Sequence, residues 1–346
     1  MDLLATDKDV SPIAQARQWV EKGRRVALAT VISTWGSSPR PVGSQLVVSD
    51  AEDFAGSVSG GCIESTILTE AQFIIRDNSP KRLSVGIDDK QAWDYGLGCG
   101  GFIDIYVDPV ASWEPVLATL TDLADRQQSF CLITNLSDSS KALYCPGLPE
   151  VSFGLDDALQ SAAGHAIESG FSRLEQRADD AFFLHVFTPP TQIIVGGAVH
   201  IAQPLVVMAQ VMGYPCAIID PRTAFATEQR FPGVDLIVEH PKTALNKIDW
   251  QKVSAVVALS HSPQFDDPLL IHAIEAGVDY IGALGSKKTH ADRIDRLRNV
   301  GLSNDRLERI HGPVGLDIGS RTPAEIALSI LAEITHSRRK RAQNGL

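Results

Sequence analysis

The sequence predicts an α/β protein in which an N-terminal α/β domain is followed by a Rossmann-like domain built on a doubly wound parallel sheet. Three observations predict it. From Gln192 onward, short apolar strands alternate with amphipathic helical stretches joined by little more than turns, the pattern of βαβ units. At 346 residues the chain is longer than one ordinary core serves. TPPTQ, residues 188–192, sets two prolines before a new apolar strand and marks the boundary between residues 1–190 and 191–346.

In the first domain a helix is expected over Ile13 to Lys22 and a strand over Arg25 to Ile32, followed by a long turn, GSSPRPVGS. Two short strands, LVVS and FAGSVS, lead into a helix from Cys62 to about Asp77. On it Ile63, Ile67, Leu68, Ala71 and Ile74 share one face. A polar stretch then separates this helix from GLGCGG, which runs straight into FIDIYVDP. There Ile103, Ile105 and Val107 alternate with Phe102, Asp104 and Tyr106, as in a strand. Residues 111–190 read as a continuation of the first domain, with a helix near Glu114 to Gln127 and strands in FCLITNL and FFLHVF.

The second domain reads QIIV, a helix to Met212, PCAII, DLIV, SAVVALS, a helix ending at Gly277, and DYIGAL. Asp267 is expected to cap a helix with Pro268 in its first turn. Thr322, Pro323 and Glu325 have the layout of a capping box.

Composition narrows the function. The apolar fraction of 44% suffices for globular packing, and a net charge of −11 argues against a broad nucleic-acid surface, which needs clustered Lys and Arg. An anionic small ligand stays compatible when helix N-termini and a few placed cations hold it. Five cysteines without close pairing, and an N-terminus lacking a basic start and apolar core, point to a reducing cytoplasm. Nothing between Val186 and Ile219 carries a formal charge, yet prolines and glycines break that run, so no membrane span is expected. The basic HSRRKRAQNGL complements the dipole of a last helix.

IIVGGAVHIAQ stands where a dinucleotide-binding fingerprint belongs, after a strand and before a helix, with Asp220 ending the next strand. Read from Gly197 to Ala202, its middle glycine is replaced by Val199, whose branched side chain takes the space a pyrophosphate needs. Gly196 and Gly197 therefore fit either a nucleotide site or a tight turn. Asp220 and Arg222 favour the former, as acceptors for ribose hydroxyls and a partner for phosphate. His261, Ser286 and Lys287 fall at the carboxyl ends of later strands, the edge where open α/β sheets bind ligands.

Two cysteines sit among glycines. Cys62 follows Gly60 and Gly61 at an expected helix start, where peptide dipoles favour a thiolate. Cys99 is set among Gly98, Gly100 and Gly101, so backbone amides there are free to approach a bound group. Neither has the spacing of a zinc site. Cys131 and Cys216, inside apolar strands, read as buried small hydrophobes. Arg40, stiffened by Pro39 and Pro41, and Gln45 and Glu64 lie near the glycine loops in sequence. Together they describe a pocket for an anionic group with affinity for sulfur.

TVISTWGSSPRPVGSQLVVS, GSVSGGCIE and YGLGCGGFIDIYVDP resemble the first domain of the XdhC/CoxI family, accessory proteins of molybdenum hydroxylases such as xanthine dehydrogenase. GAVHIAQPL, IDPRTAFATEQRFPG, DYIGALGSKKTHADR and HGPVGLDIGSRTPAEIALSILAEI resemble the family's Rossmann-like C-terminal domain; residues 111–190 contribute nothing to the likeness. The resemblance implies a chaperone more than a turnover enzyme. It would bind molybdenum cofactor (molybdopterin), protect it while a cysteine desulfurase installs its terminal sulfur, and help insert it into an apo-hydroxylase. It also places Cys62 and Cys99 against the metal or its sulfur, and a homo-oligomer is expected. The chain departs from the family at His261, Ser262, Pro263 and Gln264, where relatives carry His-Asp-Pro-Lys, so no role of that Asp or Lys transfers. Two other readings stay open: an NAD(P)-dependent oxidoreductase using Gly197, Asp220 and His261, and a sulfur relay in which Cys62 carries a persulfide.

Overall fold

Val26–Gly36 (β1) is the central strand of a five-stranded antiparallel sheet with Gln45–Ser49 (β2), Phe54–Gly56 (β3), Lys81–Ile87 (β4) and Gly101–Pro109 (β5), in the order β3-β2-β1-β5-β4. Residues 11–36, 40–61, 63–87, 101–126, 128–148, 154–177, 180–189 and 191–344 are described in this computed structural model. Alternation along β1 serves two cores. Ala27, Ala29 and Val31 join Ile105 and Val107 under the helix Glu64–Asp77, which brings Ile67, Ala71 and Ile74. Val26 and Leu28 face the other way, against the helices Pro12–Glu21 and Glu114–Asp125 and the second sheet. A register shift between Val31 and Ser33 then turns Ile32 into a small cluster with Tyr106 and Phe183.

Residues 111–190, the stretch with the weakest sequence signal, hold a four-stranded antiparallel sheet. Its strands are Phe130–Asn135 (β6), Lys141–Tyr144 (β7), Arg173–Arg177 (β8) and Asp180–Phe187 (β9), ordered β7-β6-β9-β8. The helix Asp157–Ser169 covers one face through Leu159, Ala163 and Ala166. It begins at an Asp156 cap that accepts from the Leu159 amide at 2.7 Å. Cys131 and Cys145 are buried in this part, and burial pushes the Cys131 thiol up to about 12, so it is inert at neutral pH.

The chain divides into two compact units, Met1–Pro189 and Pro190–Leu346. The second contains a six-stranded parallel sheet of Gln192–Gly196 (β10), Cys216–Ile219 (β11), Asp235–Ile237 (β12), Val253–Ala258 (β13), Tyr280–Ala283 (β14) and Ile310–His311 (β15). The order is β12-β11-β10-β13-β14-β15, the doubly wound Rossmann arrangement whose switch point falls between β10 and β13. Helices Ala202–Val211 and Pro323–Asn344 cover one face, and Pro263–Glu275 and Lys287–Asn299 the other. Both faces being covered explains why these strands are nearly continuous apolar runs. Among the described residues no helix is long and apolar enough to cross a membrane.

Several expectations are corrected. Asp267 does not cap a helix: that helix starts at Pro263 after Ser262, leaving Pro268 inside it, and Asp267 instead pairs with Arg296 at 2.9 Å. The helix expected from Cys62 starts at Glu64, and FAGSVS is a strand only through Gly56. The polar stretch before GLGCGG contains β4, an edge strand whose exposed Lys81 and Arg82 hid its alternation. The Thr322 capping box is present: Glu325 N donates to Thr322 Oγ1 at 3.3 Å and Thr322 N to Glu325 at 2.9 Å. Thr322→Ala is expected to cost about 1 kcal/mol, read from the shift of the thermal unfolding midpoint.

Candidate functional site

The topology of the first sheet directs the sequence-predicted loops towards one end. β1 ends at Gly36, which pairs with Gly101 at the start of β5, and Gly101 in turn pairs with Ile87 at the end of β4. β3 runs parallel to β1 through the intervening antiparallel β2, so the segment after Gly56 leaves towards that same end. The turn carrying Arg40 and the start of β5 thus adjoin the far end of β1, and the segment leading to the Gly60–Gly61 loop leaves towards that end from the level of Ala29. Cys62, Gly98, Cys99 and Gly100 lie outside the described residues.

Glu64 organises the loop between β3 and its helix. One carboxylate oxygen accepts from Ser57 Oγ at 2.7 Å and Ser59 N at 3.0 Å. The other accepts from Ser59 Oγ, from Gly61 N at 2.9 Å and from Ile63 N at 3.3 Å. Burial alone would raise its pKa, but the Ser59 and Ser57 hydroxyls and the Ser59 amide outweigh it and bring the carboxyl down to about 2. Both oxygens are therefore committed to the protein's own loop, so Glu64 acts as a positioning residue. Ser57 and Ser59, its partners, carry no signal in the sequence, because hydroxyls in a glycine loop read as ordinary turn residues.

Gln45 adjoins this loop. Its carbonyl accepts from Ser57 N at 2.9 Å and its side-chain amide donates to buried Thr30 at 3.2 Å. Gly56 lies between them at φ +88°, where a Cβ would meet Gln45 O at 2.3 Å. Gly56→Ala is expected to destabilise the first unit by about 1–3 kcal/mol, measured by denaturant unfolding, since strain and backbone overlap add. Gly60 and Gly61 have positive φ and are exposed, with open space around the position of a Gly61 side chain. Arg40 is exposed on the turn leading into β2.

In the second unit, Gly196, Gly197, Asp220 and Arg222 line one hollow at the switch point with Ser260 and Phe265, but its volume is about 10 Å³, room for one water. Asp220 is 2% exposed and already satisfied. Ala198 N donates to it at 2.7 Å, and Arg222 donates through Nε at 2.9 Å and Nη2 at 2.6 Å. Burial would push this carboxyl up; the Arg222 guanidinium and the amides hold it below its ordinary value. The two glycines have packing reasons of their own. A Cβ at Gly196 would meet Leu269 at 2.5 Å, and one at Gly197, with φ +108°, would meet Ser260 N at 3.0 Å.

His261 is exposed with φ +60°, in a turn where Ser260 Oγ accepts from Ser262 N at 3.1 Å and donates to Asp266 at 2.6 Å. Asp266, 2% exposed, has its pKa raised by burial. Its burial has no signal in the sequence, where one Asp in a polar loop looks like any other. Ser286 caps its helix by accepting from Thr289 N at 3.1 Å, with Lys287 exposed beside it.

Comparison with known proteins covers both units. The model of the XdhC Rossmann domain matches residues 193–334, and that of the XdhC and CoxI family matches residues 19–86. The molybdenum cofactor insertion chaperone PaoD of Escherichia coli is 27% identical over 333 residues, 96% of this chain and 90% of its own. A probable xanthine dehydrogenase subunit of Bacillus subtilis is 26% identical over 327 residues, 93% of this chain and 96% of its own. A crystal structure described as a xanthine dehydrogenase from Bacillus halodurans superposes with a TM-score of 0.74 at 24% identity, covering 96% of both chains, a likeness of fold.

Proposed function

This chain belongs to the XdhC/CoxI family, and from that premise we propose that it binds molybdenum cofactor, protects it during sulfuration and assists its insertion into an apo molybdenum hydroxylase of the xanthine dehydrogenase type. The observation that carries the reading is the end-to-end similarity to the insertion chaperone, which spans both units rather than one shared fold. The chemistry of the residues suits the group. The cofactor combines a phosphate with a dithiolene-bound metal, and exposed Arg40 and the glycine-rich loop at 60–61 supply phosphate partners. Thiols at positions 62 and 99 are the soft donors such a metal takes. A cysteine desulfurase and a homo-oligomer belong to the same proposal, as does action in the cytoplasm.

Protein purified from cells that make the cofactor is expected to carry molybdenum and pterin, by metal analysis and pterin fluorescence, and to activate an apo-hydroxylase. Protein that carries neither and activates nothing refutes the function. Cys62→Ser is expected to lower the sulfurated fraction of the hydroxylase, and an undiminished fraction would remove the persulfide relay.

The oxidoreductase alternative needs Asp220 to receive a ribose, yet Arg222 and Ala198 N already occupy both its oxygens. Val199→Gly in the full chain is therefore expected to create no nicotinamide binding by calorimetry. Measurable NADH binding by that variant would reinstate the alternative.

A further inference from the structure

The open part of the first sheet carries an aromatic pair. Gly86, Phe102 and Trp35 form one cross-strand row on β4, β5 and β1, and Ser84, Asp104 and Ser33 form the next. This face lies opposite the helix Glu64–Asp77, which packs on Ile105 and Val107. The second sheet covers it as far as Tyr106, which packs with Phe183. Beyond that cover Trp35 is 73% exposed and Phe102 57% exposed. Their ring centroids are 6.3 Å apart with the planes tilted by 46°. Gly86 sets this position, because a Cβ there would lie 2.1 Å from the Phe102 ring; the ring rests across the glycine.

A carboxylate completes the surface. Asp104 accepts from Ser84 Oγ at 2.5 Å on one oxygen and from Arg82 Nη2 at 2.7 Å on the other. Each oxygen retains capacity for a second hydrogen bond. Same-face residues of a strand stand about 7 Å apart, the scale of a fused bicyclic ring, so a ring stacked at Phe102 would bring its edge to Asp104. The 2-amino-4-oxopyrimidine edge of a pterin offers two parallel N–H donors, the complement of a carboxylate. The aromatic row also adjoins the candidate site: Trp35 precedes the turn carrying Arg40, and Phe102 follows GLGCGG.

We infer that Trp35 and Phe102 form a stacking platform for the pterin of molybdenum cofactor, with Asp104 receiving its pyrimidine edge, an inference that rests on the function proposed above. The test is equilibrium binding of the full-length protein, under anaerobic conditions, to molybdopterin released from a molybdenum hydroxylase. Bound pterin is quantified as its oxidised fluorescent derivative. The Trp35→Ala/Phe102→Ala double variant is expected to bind about tenfold or more weakly, the scale of losing ring stacking on an aromatic side chain, while Trp35→Phe stays within about threefold. Asp104→Asn and Gly86→Ala are expected to weaken binding as well, the latter by displacing the Phe102 ring without removing it. Circular dichroism identifies the folded variants.

Wild-type protein that binds while the folded double variant binds equally well would overturn the platform and leave the proposed function standing. Wild-type protein that binds no molybdopterin would overturn both. A double variant that binds normally but fails to load an apo-hydroxylase would make this face a protein-docking surface and also overturn the inference.

Discussion

Asp108→Ala is expected to cost about 3–5 kcal/mol of stability, the scale of breaking a buried ion pair by removing one partner. Asp108 on β5 and Lys141 on β7 join the two sheets of the first unit at 2.6 Å, both side chains 2% exposed. The Trp113 indole N–H also donates to Asp108, at 2.7 Å, and the Lys141 ammonium lies 5.2 Å from the centre of the Trp113 ring. Removing the carboxylate leaves a buried ammonium and a buried indole N–H without their acceptor. Lys141→Met is expected to cost a similar amount, because it strands the carboxylate instead. Changing both partners to apolar residues of like volume is expected to recover much of the loss, with Trp113→Phe needed to remove the last unpaired donor. Chemical denaturation of the four variants checks this; full additivity of the single losses in the double variant would refute the pairing.

Glu64→Ala is expected to cost about 1–3 kcal/mol and to loosen the loop flanking position 62, because the amides of Ser59, Gly61 and Ile63 lose their acceptor at once. Pterin and molybdenum content should fall with it. Acid exposes the same device. The folded carboxyl titrates near 2 against an ordinary 4.5, so its stabilisation is fully present above about pH 4.5 and is lost as pH falls towards about 2. Glu64→Gln lacks that slope. Wild type and Glu64→Gln are therefore expected to differ most in unfolding free energy at neutral pH and to converge in acid. A difference that stays constant from neutral pH to about pH 2 would show that the charge on Glu64 is not what holds the loop.

Much of the fold was legible because each element obeyed one period. Ile103, Ile105 and Val107 alternate and form β5; Ile67, Ala71 and Ile74 recur at helical spacing and pack as expected. The second unit was the clearest, since a parallel sheet covered on both faces writes its strands as apolar runs. Within residues 111–190 the helix at Glu114 and the strands in FCLITNL and FFLHVF were legible, whereas β7, β8 and the helix Asp157–Ser169 were not: β8 is only partly buried, and that helix is rich in alanine and serine, with a weak stripe. Asp267 misled because Pro268 resembled a first-turn proline, whereas Pro263 already holds that place.

The sequence alone determined the alternation of strands and helices in the second unit, the parallel character of its sheet and the family, because these depend on local periodicity and short motifs. Only the tertiary structure decided which groups are available. Asp220, a ribose acceptor by position, is closed by Arg222, and Glu64 by the amides of its own loop, since hydrogen-bond capacity is assigned in space and not along the chain. Conversely Trp35 and Phe102, ordinary members of two strands, stand side by side in water because the second sheet ends short of them.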